Sequence, residues 1–299
     1  MSDHSESLPV TVIGGYLGSG KTTLLNEILR STDDRIAVIV NDFGDINIDA
    51  SLIENQDGET LQLSNGCICC SLVEGFASAI ATVLALEPFP DRLIIEASGV
   101  ADPAQVAAYG QTPGLTLDSI LVVVDAERIR TLSRDEFVGD TVLRQLAAAD
   151  LVILNKTDLA APGTTSTTID WLLTRATGAA VIAAEHGRVP HSIIFGDTGQ
   201  TRTRLAPADT AAGPHSTVET FTTWSIAVSD QLTLDELHSL LDNQPDSVVR
   251  AKGLVLLEED PGYETIVQVV GKRRNITRGS TRPAVPSPRL TFIATKLDC

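Results

Sequence analysis

The chain has 299 residues, 43% of them hydrophobic, and a formal charge of −17. A chain this acidic is repelled by phosphate backbones, which argues against a nucleic-acid partner. No apolar stretch approaches the ~20 residues that span a bilayer, and the polar start at residues 1–9 lacks a signal-like apolar core. The expectation is a cytoplasmic protein with reduced thiols, long enough for one domain of about 180 residues and a smaller companion.

The first apolar run, Val10 to Ile13, leads into Gly15-Tyr16-Leu17-Gly18-Ser19-Gly20-Lys21-Thr22, an uninterrupted G-x-x-x-x-G-K-T, and then into the helix-like stretch Thr22 to Arg30. Strand before and helix after make this a phosphate-binding loop. Its glycines let successive N–H groups point inward, toward phosphates that also lie at the positive end of the helix. Lys21 is expected on the β- and γ-phosphates, the Thr22 hydroxyl on Mg2+, and Thr23 beside them at the helix start.

Ile36 to Val40 reads as a buried strand that runs into Asn41-Asp42-Phe43-Gly44-Asp45. Asp42 and Asp45 are candidates for a switch loop that senses Mg2+ and γ-phosphate, with Asp42 taken into the catalytic set. Turn-forming carboxylates capping a strand are the competing assignment.

Cys67, Cys69 and Cys70 place three of the chain's four cysteines within four residues, after a strand expected to end at Leu63. In an extended segment Cys67 and Cys69 project the same way, and thiolates this close suit Zn2+ or Cu(I). The fourth ligand is open between water, Asp42 and a group from an incoming protein. An incomplete shell suits a transfer site better than a structural one. A redox pair and simple buried cysteines are the alternatives.

Arg92 to Glu96 is a third strand run, and it delivers a carboxylate followed by Ala97-Ser98-Gly99. Glu96 at a strand end is placed to hold Mg2+, directly or through water, or to orient the attacking water, with Gly99 near the nucleotide. Leu151 to Leu154 ends in Asn155-Lys156-Thr157-Asp158, the N-K-x-D arrangement. A carboxylate at Asp158 can accept from guanine N1–H and the exocyclic amine together, whereas adenine offers no such pair. Lys156 is expected along the base plane and Asn155 as a brace, which favours GTP and GDP over ATP.

The fold expected is α/β, a P-loop NTPase with a mostly parallel sheet and helices on both faces over residues 1–184, its motif loops gathered at the carboxyl ends of the strands. Residues 185–217 read as a linker, rich in Gly, Pro and Thr. Residues 218–299 read as a small α+β domain, with strands over 219–228, 248–257 and 265–270 and a helix over 232–241. Residues 272–288 show no apolar rhythm and leave its completion open. The histidines His4, His186, His191, His215 and His238 are scattered without paired spacing and read as surface or loop residues.

Taken together, G-G-Y-L-G-S-G-K-T-T-L-L-N (14–26), N-D-F-G-D (41–45), S-N-G-C-I-C-C (64–70), I-I-E-A-S-G-V-A-D-P (94–103) and N-K-T-D (155–158) resemble the CobW-like GTPases. V-R-A-K-G (249–253) and R-L-T-F-I (289–293) look like landmarks of that family's C-terminal domain. The resemblance implies a slow GTP hydrolase that couples its nucleotide state to a transition metal, Zn2+ or another such as Co2+, and to a client metalloprotein. A homodimer is compatible with it. Asp42 stands where Glu is more usual, and the histidine-rich stretch of several zinc-handling members is absent. A regulatory or assembly GTPase with a structural ion is the alternative. A P-loop kinase is disfavoured by N-K-x-D and by the lack of an evident lid.

Overall fold

A computed structural model describes residues 7–40, 60–62, 72–196, 221–229, 232–281 and 288–295. The chain divides into two compact units, Met1–Val189 and Pro190–Cys299.

The first unit is built on a seven-stranded sheet in the order β3-β2-β4-β1-β5-β6-β7. In chain order these are β1 (Leu8–Gly14), β2 (Ile36–Val40), β3 (Thr60–Gln62), β4 (Arg92–Glu96), β5 (Leu115–Asp125), β6 (Leu151–Asn155) and β7 (Ala180–Ala183). Every neighbouring pair is parallel. The apolar runs read from the sequence are therefore strands covered on both faces, which is why they show little alternation. β2, β4 and β6 are buried at every position.

The helices are α1 (Lys21–Arg30), α2 (Leu72–Leu84), α3 (Pro103–Ala108), α4 (Ile129–Leu132), α5 (Gly139–Ala148) and α6 (Thr164–Arg175). Val10, Val12, Leu93, Ile95, Val122, Val124, Val152 and Leu154 form one core cluster with Phe76, Ile80 and Val83 of α2, Val106 of α3, Val142 and Leu146 of α5 and Leu172 of α6. The alternate strand residues Ile13, Ile94, Leu121, Val123 and Ile153 are buried as well and point to the other face, and Leu24, Leu25 and Ile28 of α1 are buried outside that cluster. Because all strands run the same way, their carboxyl ends share one edge. That edge carries residues 15–22, 96–99, 125–128, 155–158 and 184–187.

The second unit is an antiparallel sheet in the order β11-β10-β9-β12-β8, made of β8 (Phe221–Ala227), β9 (Val248–Val255), β10 (Tyr263–Val270), β11 (Arg273–Thr281) and β12 (Arg289–Thr295), with α7 (His191–Phe195) and α8 (Leu234–Asp242). Leu237 and Leu241 of α8 pack with Ala251, Val255, Val267, Val269, Leu290 and Phe292. The stretch read as lacking apolar rhythm, whose part in completing the domain the sequence leaves open, contains β11. As an edge strand β11 needs no apolar face, and its arginines meet acids instead: Arg274 reaches Asp242 and Arg278 reaches Asp260 at 2.6 Å. Within the segment read as a linker, His191–Phe195 is helical, and the buried Arg250 Nη1 donates to the Ile194 carbonyl at 2.6 Å.

Candidate nucleotide site

The loop between β1 and α1 is forced into its shape by glycine. Gly15, Gly18 and Gly20 have φ of 131°, 76° and 104°, the left-handed side that L side chains rarely adopt. Space adds a second restriction at Gly20, where a Cβ would collide with Asn155 Nδ2, and at Gly15, where it would collide with the Val123 carbonyl. Gly20 caps α1 without a side chain, so the first N–H groups of the helix are left to an anion. Lys21 is buried, at 7% exposure, and Thr22 is half-buried. Tyr16 is half-buried, while Leu17 on the rim is 54% exposed.

Glu96 stands at the end of β4, in register with Ile13 on one side and Val40 on the other. It is 2% exposed, and its Oε1 accepts from Thr22 Oγ1 at 2.9 Å. The structure thus brings the strand-end carboxylate to the hydroxyl of the phosphate loop. Behind it, buried Gln145 of α5 donates to the Gly99 carbonyl at 3.1 Å and the Ala101 carbonyl at 2.9 Å, which pins the loop after Glu96.

The N-K-x-D loop is fastened to the phosphate loop rather than standing apart from it. Asn155 Nδ2 donates to the Ser19 carbonyl at 3.0 Å, and its Oδ1 accepts from the Gly187 N–H at 2.9 Å. Lys156, itself at φ 61°, donates through Nζ to the Gly18 carbonyl at 2.6 Å and to Asp125 Oδ2 at 2.8 Å. Thr157 bonds the Ala184 carbonyl through its N–H at 3.3 Å and its hydroxyl at 3.1 Å. Asp158 lies 3.7 Å from His186, as measured between Oδ2 and Nε2.

Sequence reading missed Asp125, Gln145 and the 184–187 loop. Asp125 carried the same signal as Glu96, a carboxylate ending an apolar run, here Ile120 to Val124. Its Oδ1 also accepts from the Glu127 and Arg128 N–H groups at 3.0 and 3.2 Å, turning the chain at the end of β5. Asp42, Cys67, Cys69 and Cys70 lie outside the described residues. Among the described residues no group of three His, Cys, Asp or Glu side chains could hold a metal ion.

The family model described as the CobW/HypB/UreG nucleotide-binding domain matches residues 9–193, and the cobalamin synthesis protein CobW C-terminal domain matches residues 221–299. A zinc chaperone CobW of a Sinorhizobium species is 28% identical over 307 residues, covering 89% of this chain and 86% of that protein. One from Pseudomonas aeruginosa is 28% identical over 334 residues, covering 97% and 88%. A zinc-regulated GTPase metalloprotein activator 1 from Schizosaccharomyces pombe is 34% identical over 202 residues, covering 62% and 49%. Among solved structures, the Zn(II)-bound YjiA GTPase from E. coli aligns at 23% identity and a TM-score of 0.48, covering 98% of this chain and 96% of that one. The chain belongs to the CobW/HypB/UreG family of P-loop GTPases and carries the CobW-type C-terminal domain.

Proposed function

We propose that the protein is a GTP-hydrolysing metallochaperone, which couples its nucleotide state to the binding of a transition metal and its delivery to a client metalloprotein. Zinc is the first choice of metal and cobalt the second. The observation that carries the reading is the single bonded unit formed by Asn155, Lys156 and the phosphate loop, joined at the same sheet edge by Glu96 on Thr22. The zinc-chaperone names of relatives that align along most of the chain support the metal assignment.

In this reading the α1 N-terminus and the loop N–H groups hold the phosphates, and Lys21 neutralises the β- and γ-charge in a partly desolvated site. Asp158 reads guanine, while Asn155 and Lys156 keep its loop at a fixed distance from Ser19 and Gly18. The Thr22 hydroxyl and the Glu96 carboxylate are hard oxygen donors in mutual contact, a set that fits Mg2+; they would hold the ion, which would supply positive charge against the phosphates. Glu96 orients the attacking water, and Asp42 answers to the γ-phosphate from the loop after β2.

Cys67, Cys69 and Cys70 take the cargo ion. In the sequence Cys67 follows Gln62, the last residue of β3, by five residues. Among the described residues no helix is long and apolar enough to cross a membrane. The proposal sets its action in the cytoplasm, on a protein client. A homodimer is compatible with this scheme.

Linkage makes the proposal testable, because GTP must tighten or loosen metal by the same factor that metal changes GTP, with couplings of ~1 to 3 kcal/mol typical. Zinc affinity is measured by competition with a chromogenic chelator, once with GDP and once with a non-hydrolysable GTP analogue. The expected result is a difference between nucleotide states that disappears when all three cysteines are replaced by Ser, with GTP binding retained. Equal affinity in both states would leave a regulatory GTPase with a structural ion.

A further inference from the structure

Beyond β7 the chain makes a tight turn over residues 185–188. The Arg188 N–H donates to the Glu185 carbonyl at 3.0 Å, and both central residues are left-handed, His186 at φ 53° and Gly187 at φ 71°. These are the marks of a type I′ turn, whose central positions favour Asn, Asp and Gly. Glycine at 187 is required twice over. Its φ lies in the left-handed region, and a Cβ there would lie 2.8 Å from the Leu24 N; its N–H also serves Asn155. Histidine at 186 has no such backbone reason. It occupies a strained position that a smaller residue would fill more comfortably, and strain of this kind collects at functional sites.

The strain delivers the imidazole to Asp158. His186 Nε2 stands 3.7 Å from Asp158 Oδ2, with the imidazole 67% exposed and the carboxylate 24%. The other charged groups nearby are committed elsewhere. Lys156 is held by Gly18 and Asp125, and Arg188 stands 3.4 Å from Glu27. Glu185, exposed at the start of the turn, can only repel the carboxylate. Among the described residues His186 is therefore the one ionisable partner within 4 Å of the Asp158 carboxylate.

We infer that His186 is a positioning residue for Asp158, orienting the carboxylate so that both of its oxygens meet guanine. This rests on the reading of Asp158 as the guanine acceptor. A contact longer than a hydrogen bond restrains the carboxylate electrostatically and leaves lone pairs on both oxygens for N1–H and the 2-amino group. The contact needs the imidazole proton on Nε2 or on both nitrogens.

The test replaces His186 by Gly in the full chain, which removes the imidazole and relieves the backbone at the same time. Affinities for GDP and for inosine diphosphate, which lacks the 2-amino group, are measured by calorimetry alongside the melting temperature. For His186→Gly the expected result is a GDP affinity about two- to fivefold weaker, the range for an exposed ion pair, a smaller change for inosine diphosphate, and an unchanged or higher melting temperature. His186→Asn, compatible with the turn but too short to reach Asp158, should behave like Gly. GDP binding at the native level in His186→Gly, or equal losses for the two nucleotides, would overturn the inference. Asp158→Asn separates the two levels of argument. If it leaves the preference for GDP over inosine diphosphate intact, the reading of Asp158 fails. If it removes that preference and His186→Gly does not, only the positioning role fails.

Discussion

Lys156 Nζ lies 2.8 Å from Asp125 Oδ2, so the cation of the N-K-x-D loop is held by the carboxylate that ends the neighbouring strand. β5 and β6 are in register at this point, Asp125 beside Asn155, which sets the two side chains at the same height above the sheet. Asp125→Ala releases Lys156 and two backbone N–H groups together. The expected outcome is a loss of about 1–3 kcal/mol, the range for a charge-assisted contact. It should appear equally in GDP and GTP affinity by calorimetry and as a lower melting temperature. Asp125→Asn, which keeps an acceptor at Oδ1, should cost less.

Lys21 is buried, and under the proposed function it is the principal cation facing the β- and γ-phosphates, which Lys21→Ala removes. Hydrolysis should be abolished and GTP binding strongly weakened, as read by phosphate release and by nucleotide titration. Turnover at the native level would end the assignment of this loop.

Glu96→Gln keeps an acceptor for the Thr22 hydroxyl but removes the charge. If Glu96 supports the water or Mg2+, kcat should fall by more than tenfold while GTP affinity changes little. Comparable losses in both would make Glu96 a structural partner of Thr22.

In the second unit, α8 begins with a capping box. Glu236 N–H donates to Thr233 Oγ1 at 3.2 Å, and Glu236 Oε2 accepts from the Thr233 N–H at 2.9 Å. That backbone bond, with the Thr233 hydroxyl second, holds the carboxyl below its ordinary value of 4.5. A depressed folded value means that the contribution is fully present above pH 4.5 and is lost as pH falls through the lower folded value. The melting-temperature difference between the native chain and Glu236→Gln should therefore be constant near neutrality and vanish in acid.

The parallel sheet and its motif edge were legible because β2, β4 and β6 are close to continuous apolar runs and a motif begins where each of these runs stops. Gly20, Lys21, Glu96 and Asn155 all announce themselves locally. The ties between motifs are not local: Asn155 with Ser19, and Gln145 with Gly99, are joined only through the strand order. His186 reads as a surface or loop residue and lies in an exposed turn, but its approach to Asp158 has no signal in the sequence, because a single histidine carries no spacing pattern. β11 was missed because period-two patterning weakens at a charged edge strand whose side chains pair with acids on both Asp242 and Asp260.

The bond from Arg250 to the Ile194 carbonyl also dictates where this protein can be divided for work on its halves. A guanidinium with 1% exposure donates to that carbonyl, so a C-terminal fragment beginning near Thr217 would take this acceptor away from it and leave Ile193, Ile194 and Phe195 on the other fragment. A cut before Pro190, at the boundary between the two compact units, keeps donor and acceptor in one piece.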